Sequence, residues 1–137
     1  MLYLTPIHPI GHTFRKGKDN SPTAQPGEPG SPYAVGNEHG GHKSIHPELG
    51  TLDDFRSLVQ AARAMGIEIA LDNAFQCSPD HPWVQSHPEW FFHRPDGSIK
   101  YAENPPMKYE DICQINFDCE NWEDLWDEFK KVFLFWI

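Results

Sequence analysis

Apolar positions along the chain fall into separated groups, each with its own period. Met1 to Thr5 is a short apolar run closed by Pro6, which fits a strand fully buried between layers. Leu52, Phe55, Leu58, Val59, Ala62 and Met65 recur on one face and predict a helix. Thr51-Leu52-Asp53-Asp54 opens that helix as a capping box with Asp in place of Glu, and Gly66 supplies the stop. Ile67-Glu68-Ile69-Ala70-Leu71 follows as a second strand ending in the carboxylate of Asp72. A last helix opens at Asn121 as its cap, with Leu125, Phe129, Val132, Phe133 and Trp136 sharing a face.

The stretches between these groups have almost no period. Pro6 to Gly50 is rich in Pro, Gly, Ser, Asn and His, and so long a loop in a compact domain is usually functional or disordered. Asn73 to Cys119 carries Pro79, Pro82, Pro88, Pro95, Pro105 and Pro106, with a small hairpin expected where Asp96-Gly97 supplies a turn. Strand, loop, helix, strand is the order of a parallel α/β unit, and the second irregular stretch then reads as a subdomain inserted after the second strand. The expected organisation is residues 1–50 as strand and long loop, 51–72 as helix and strand, 73–120 as inserted subdomain and 121–137 as the following helix. Phe133 to Ile137 ends on an uncovered apolar face without a stop signal, so that end reads as cut.

Charge narrows the functional classes. With 11 Lys plus Arg against 20 Asp plus Glu, the net charge is 11 − 20 = −9, and the basic residues never run longer than two. Nucleic-acid binding and attraction to anionic membranes, which need clustered cations, are disfavoured. No run approaches the length of a membrane helix, and the first residues lack the basic start and cleavage site of a leader, so a soluble, cytoplasmic chain is expected. Cys77, Cys113 and Cys119 form no Cys-x-x-Cys pair and are expected as free thiols. The 5 Trp and 9 Phe among 13 Pro and 10 Gly suit loops that present large aromatic rings to a ligand.

In parallel α/β proteins, side chains at the carboxyl ends of strands face the active site, which singles out Asp72 against the alternative of a structural Asp orienting its loop. Gln76, Asp80 and His81 lie just beyond, with Trp83 beside them, a mixture suited to the hydroxyl edges and C–H faces of a sugar. His39, His42 and His46 would converge on a metal if helical, but Gly40 and Gly41 argue against the helix, and no metal site is expected. Gly11 to Asp19 fails as a nucleotide phosphate loop: the gap between its glycines is a residue too long, and Asp19 stands where Ser or Thr is needed. Arg15, Lys16 and Lys18 remain able to contact a phosphate or hydroxyl, although solvation is the commoner fate of loop cations. Asn104-Pro105-Pro106-Met107-Lys108-Tyr109-Glu110-Asp111 is either a Pro-rich connection or a rigid frame for hydrogen bonds to a polyol or anion.

Read in order, Leu4-Thr5-Pro6-Ile7-His8-Pro9-Ile10-Gly11, Phe14-Arg15-Lys16-Gly17-Lys18, His46-Pro47-Glu48-Leu49-Gly50-Thr51-Leu52, Gln76-Cys77-Ser78-Pro79-Asp80-His81-Pro82-Trp83 and Ile99 to Pro106 resemble the α-amylase superfamily, glycoside hydrolase family 13, and within it the maltosyltransferase branch. The resemblance implies part of a (β/α)8 barrel, with the second barrel strand at Leu2 to Thr5, the third at Ile67 to Asp72, and a small subdomain after the third. It also implies retaining transfer of maltosyl units from maltose 1-phosphate to the non-reducing end of α-1,4-glucans, through a glycosyl-enzyme intermediate and without any cofactor.

Carried over by resemblance, Lys16, Gln76 and Asp111 are sugar-contacting residues of the donor site, and Ser31, Asn104 and Tyr109 lie near its phosphate. Asp72 supports the catalytic centre without attacking. The family's nucleophile and acid/base lie on later strands, so this segment alone is expected to be inactive, and intact members are expected to be homodimers. Two positions depart from the family pattern: Met107 stands where a phosphate-binding Lys is expected, and Cys113-Gln114 where Tyr-Pro is expected. The alternatives are a hydrolytic or branching relative in the same superfamily and a vestigial carbohydrate-binding segment.

Overall fold

The computed structural model describes residues 1–137. In chain order the elements are β1 (Leu2–Leu4), α1 (Leu52–Ala64), β2 (Ile69–Leu71), α2 (Pro82–Ser86), β3 (Tyr101–Asn104), β4 (Met107–Cys113) and α3 (Trp122–Trp136). Single 3₁₀ turns at Lys18–Asn20, Pro47–Leu49 and Pro88–Trp90 punctuate the loops.

β1 and β2 pair in parallel with Leu2 opposite Ile69, Tyr3 opposite Ala70 and Leu4 opposite Leu71. α1 makes the crossover between them, as a parallel pair requires. Its start is held by the expected box: the Thr51 hydroxyl accepts from the Asp54 N–H at 3.2 Å, and the Asp54 carboxylate accepts from the Thr51 N–H at 2.8 Å. Gly66, at φ +70°, lets the chain turn back into β2.

β1 is not the fully buried strand its composition suggests: Leu2 is 43% and Tyr3 59% exposed. A two-stranded sheet has one neighbour per strand, so no layer covers the far side of β1. The apolar face of α1 is similarly thin in contacts, with Ala62 buried but Leu58 and Met65 exposed.

The core lies instead between α3 and the stretch after β2. Leu125 and Phe129 of α3 pack with Cys77, Trp90, Phe91, Cys113, Ile115 and Cys119, and Phe75, Trp83 and Phe117 close around them. Burying a side chain such as that of Phe129 stabilises by about 1.5–3 kcal/mol. A smaller cluster of Ile10, Ala34 and Ile112 ties the first loop to β4.

The small hairpin expected at Asp96-Gly97 is present, carried by the His93–Ile99 bridge and by the Arg94 N–H donating to the Ser98 carbonyl at 2.7 Å. A larger hairpin that the sequence does not announce is β3–β4, antiparallel and joined through the cis Pro105–Pro106 peptide. Two prolines in the connection hide the flanking strands from a reading by period. Asn121 sits at the start of α3 but its side chain makes no cap there; its amide donates to the Glu89 carboxylate at 2.9 Å, which joins α3 to the turn before it.

Candidate functional site

β4 alternates faces, and Met107, Tyr109 and Asp111 project on one of them. Opposite stands the loop that follows β1, carrying Lys16, Lys18, Glu28 and Ser31. Between the two lies a cleft of about 520 Å³. Lys16, Ser31, Tyr109 and Asp111, widely separated in sequence, thus line one cavity together with Met107.

Lys16 is 8% exposed, and its ammonium donates to the carboxylate of Glu110, a partner the sequence does not announce. The pair holds the first loop against β4. The Lys16 cation, through this bond, holds the Glu110 carboxyl below its usual range. Asp111 is 2% exposed, and its Oδ1 has no hydrogen-bond partner in the protein. Burial pushes its carboxyl above the usual range. An unpaired buried acceptor at a cleft wall is costly unless something supplies a donor, and a ligand hydroxyl is suited to do so.

The other expected residues lie elsewhere. Gln76 lines a second cavity of about 400 Å³ with Phe75, Phe92, Phe117 and Gln114, and the two cavities share Ile112. Asn104 is exposed at the end of β3, opposite Met107 in register, and is not on the cleft wall. Asp72, at the carboxyl end of β2, accepts from the Tyr3 hydroxyl at 2.5 Å and the Tyr33 hydroxyl at 3.2 Å. Its bond to the Asp72 carboxylate, helped by the nearby Tyr33 hydroxyl, raises the Tyr3 phenol well above its ordinary value.

Asp80 and His81, which resemble ligand groups in the sequence, hold the scaffold. Asp80 accepts from the N–H groups of His12 and Thr13 at 2.6 and 2.7 Å, and from the Thr13 hydroxyl at 2.6 Å. His81 caps α2 by accepting the Trp83 N–H. Trp83 stacks on His42, with centroids 5.0 Å apart, rather than facing a ligand. Arg15 turns its guanidinium onto the carbonyls of Gly11 and Ile10.

His39 and His46 do not join His42. Instead His42, His81 and Cys77 converge, with ligand-type atoms within 4.8 Å of one another. Hydrogen bonding accounts for every ring nitrogen of the two histidines. His42 Nε2 donates to the Ala74 carbonyl at 2.9 Å, His81 Nε2 donates to His42 Nδ1 at 3.0 Å, and His81 Nδ1 accepts from Trp83. A cation on His81 Nε2 would force a proton onto Nδ1, against the Trp83 N–H that Nδ1 accepts. Gly41 makes the cluster possible: a Cβ there would stand 2.2 Å from His81 Nε2.

Of the two helix-breaking glycines, Gly41 therefore marks where an imidazole packs on the backbone, while Gly40 stands against Ser44. Met107, Tyr109 and Asp111 enter the sequence reading through family likeness, whereas the strand that carries them and the pairing of Glu110 with Lys16 are masked by Pro105-Pro106.

Comparison with known proteins places this geometry. No family model matches the chain. It is 59% identical over 137 residues to the α-1,4-glucan:maltose-1-phosphate maltosyltransferase of Chlorobaculum tepidum, a match covering 100% of this chain and 20% of that enzyme. It is 61% identical over 135 residues to the enzyme of the same name from Rhodospirillum rubrum, covering 98% of this chain and 20% of the relative. The chain thus spans about a fifth of the length of the curated relatives it matches.

Among solved structures, an α-amylase from Lactobacillus plantarum superposes with a TM-score of 0.79 at 32% identity, over 98% of this chain and 28% of that one. A maltogenic α-amylase from Thermotoga neapolitana gives 0.68 at 24% identity, over 94% of this chain and 26% of that one, and shares the fold. The fold is that of a partial α/β barrel, in which β1 and β2 are neighbouring barrel strands. The chain belongs to the α-1,4-glucan:maltose-1-phosphate maltosyltransferase family of the α-amylase superfamily, as a segment of its barrel.

Proposed function

We propose that this segment contributes the donor side of a site that takes maltose 1-phosphate and passes its maltosyl group to the end of an α-1,4-glucan. The observation that carries the reading is the cleft itself. Four residues expected at the donor, Lys16, Ser31, Tyr109 and Asp111, line one cavity whose wall holds an unpaired buried carboxylate oxygen. Asp111 accepts a sugar hydroxyl there, Lys16 donates from the ammonium held by Glu110, and Ser31 and Tyr109 lie toward the phosphate. Gln76 reaches the same sugar from the adjoining cavity, and Asn104 belongs to the phosphate end. Asp72 supports the centre from the end of β2.

The two carboxylates of the retaining reaction are expected on strands beyond Ile137, so residues 1–137 bind without transferring. A cytoplasmic location and homodimeric assembly of the whole enzyme belong to the same reading. Titration of the chain with maltose 1-phosphate, followed by calorimetry and by assay for glucan extension, tests it. Saturable binding that is weakened by Asp111→Ala, with no extension, is the expected result. Binding indifferent to Asp111, or extension by the chain alone, overturns the reading.

A further inference from the structure

Phe14 is 65% exposed and sits at φ +55°, in the left-handed region. Asp19 and Asn20 share that region nearby, and short polar side chains of their kind tolerate it. A bulky aromatic does not, so its conformation is imposed by its surroundings.

Those surroundings are firm. On one side Asp80 holds the N–H groups of His12 and Thr13. On the other, Arg15 grips the carbonyls of Gly11 and Ile10, and its own N–H closes a turn onto the His12 carbonyl at 3.3 Å. Asp80 from the middle of the chain and the neighbouring Arg15 therefore hold a large apolar ring out in solvent, where it fills no core.

The ring lines a groove of about 610 Å³ together with His12, Arg15, Thr23, Gln25 and Glu28. The opposite wall is tied in by the Ala24 N–H, which donates to the Arg15 carbonyl at 3.0 Å. Glu28 also lines the Lys16 cleft, so the groove continues from it.

The two charged residues of the groove are spent on the protein. The Arg15 guanidinium is committed to its own turn, and the Glu28 carboxylate accepts from the N–H groups of Lys18 and Gln25 at 3.2 and 2.6 Å. The His12 ring is engaged as well, by Arg15 at 3.1 Å and Glu38 at 3.3 Å, so what faces solvent is a flat apolar surface edged by the hydroxyl of Thr23 and the amide of Gln25. That combination suits a neutral polyol ring rather than an anion.

We infer that Phe14 is a stacking platform for a glucose ring of an α-1,4-glucan, in a chain-binding groove that adjoins the donor cleft. The inference rests on the carbohydrate reading of that cleft.

The test is calorimetric titration of the full chain with maltose and with maltoheptaose, for the wild type, Phe14→Ala and Phe14→Trp. The wild type binds maltoheptaose more tightly than maltose, by about three- to tenfold. Phe14→Ala abolishes this length preference, Phe14→Trp keeps it, and the thermal melt is not lowered by either. A length preference that survives in Phe14→Ala, or no saturable binding of maltoheptaose, overturns the inference. Maltoheptaose binding that depends on Phe14, with no binding of maltose 1-phosphate, sinks the donor reading and leaves the platform standing.

Discussion

The indole N–H of Trp136 donates to the carbonyl of His42 at 2.7 Å, across 94 residues of sequence. This bond fastens the end of α3 to the first loop, beside the ring of His8 at 5.6 Å and that of Phe55 at 5.5 Å. Lys43 reinforces it from the next residue by pairing with Glu128 at 2.5 Å. Trp136→Phe keeps most of the packing and removes the donor. It is expected to lower stability by about 1–2 kcal/mol in urea unfolding, whereas Lys43→Ala, an exposed pair, costs less than about 1 kcal/mol.

Acid sensitivity follows from the buried imidazoles. Burial lowers the His42 ring to about 4 from an ordinary 6.5, and pushes His8 and His81 down in the same direction. A group whose folded value is depressed gives stability that is complete above its unfolded value and is lost as pH falls through its folded value. The melting temperature should therefore decline between pH 6.5 and pH 4, beginning before most carboxylates titrate. A flat melting temperature from pH 7 to pH 5 would contradict this.

Gly41 stands against the His81 ring, so Gly41→Ala must displace it and break the relay through His42. Loss of stability of about 1–3 kcal/mol is expected, accompanied by a shift in the His42 and His81 ring resonances in NMR.

Met107 lies 42% exposed on the cleft wall. Met107→Lys adds a cation where the donor phosphate is proposed to sit. It should raise affinity for maltose 1-phosphate relative to maltose by about fivefold or more, with the gain shrinking as salt increases. Equal effects on both ligands would place the phosphate elsewhere.

The local capping box is separable from all of this. Thr51→Ala removes the acceptor for the Asp54 N–H and should cost about 1 kcal/mol without altering ligand binding.

What the sequence disclosed depended on range. The α1 cap, the Gly66 stop and the Leu125–Phe129–Val132 face are set by residues within a few positions of each other, and they appear where expected. The β3–β4 hairpin was hidden, because Pro105 and Pro106 resemble a breaker while the flanking residues carry mixed polarity. Buried Lys16 and Asp111 were recognisable through family likeness, yet the pairing of Lys16 with Glu110 was not, since nothing local links positions 94 residues apart. His81 and Asp80 looked like ligand groups because capping and loop clamping use the same side chains as sugar binding.

The Lys16–Glu110 bond spans most of the chain, and that span sets when the cleft can exist. The α1 cap and the Asp96-Gly97 turn close over a few residues and form quickly, whereas bringing Lys16 to Glu110 waits on the closure of a very long loop. The cleft is thus assembled late in folding. During synthesis it stays absent until β4 has emerged, so a nascent chain interrupted before Glu110 carries α1 but not the cleft between Lys16 and β4.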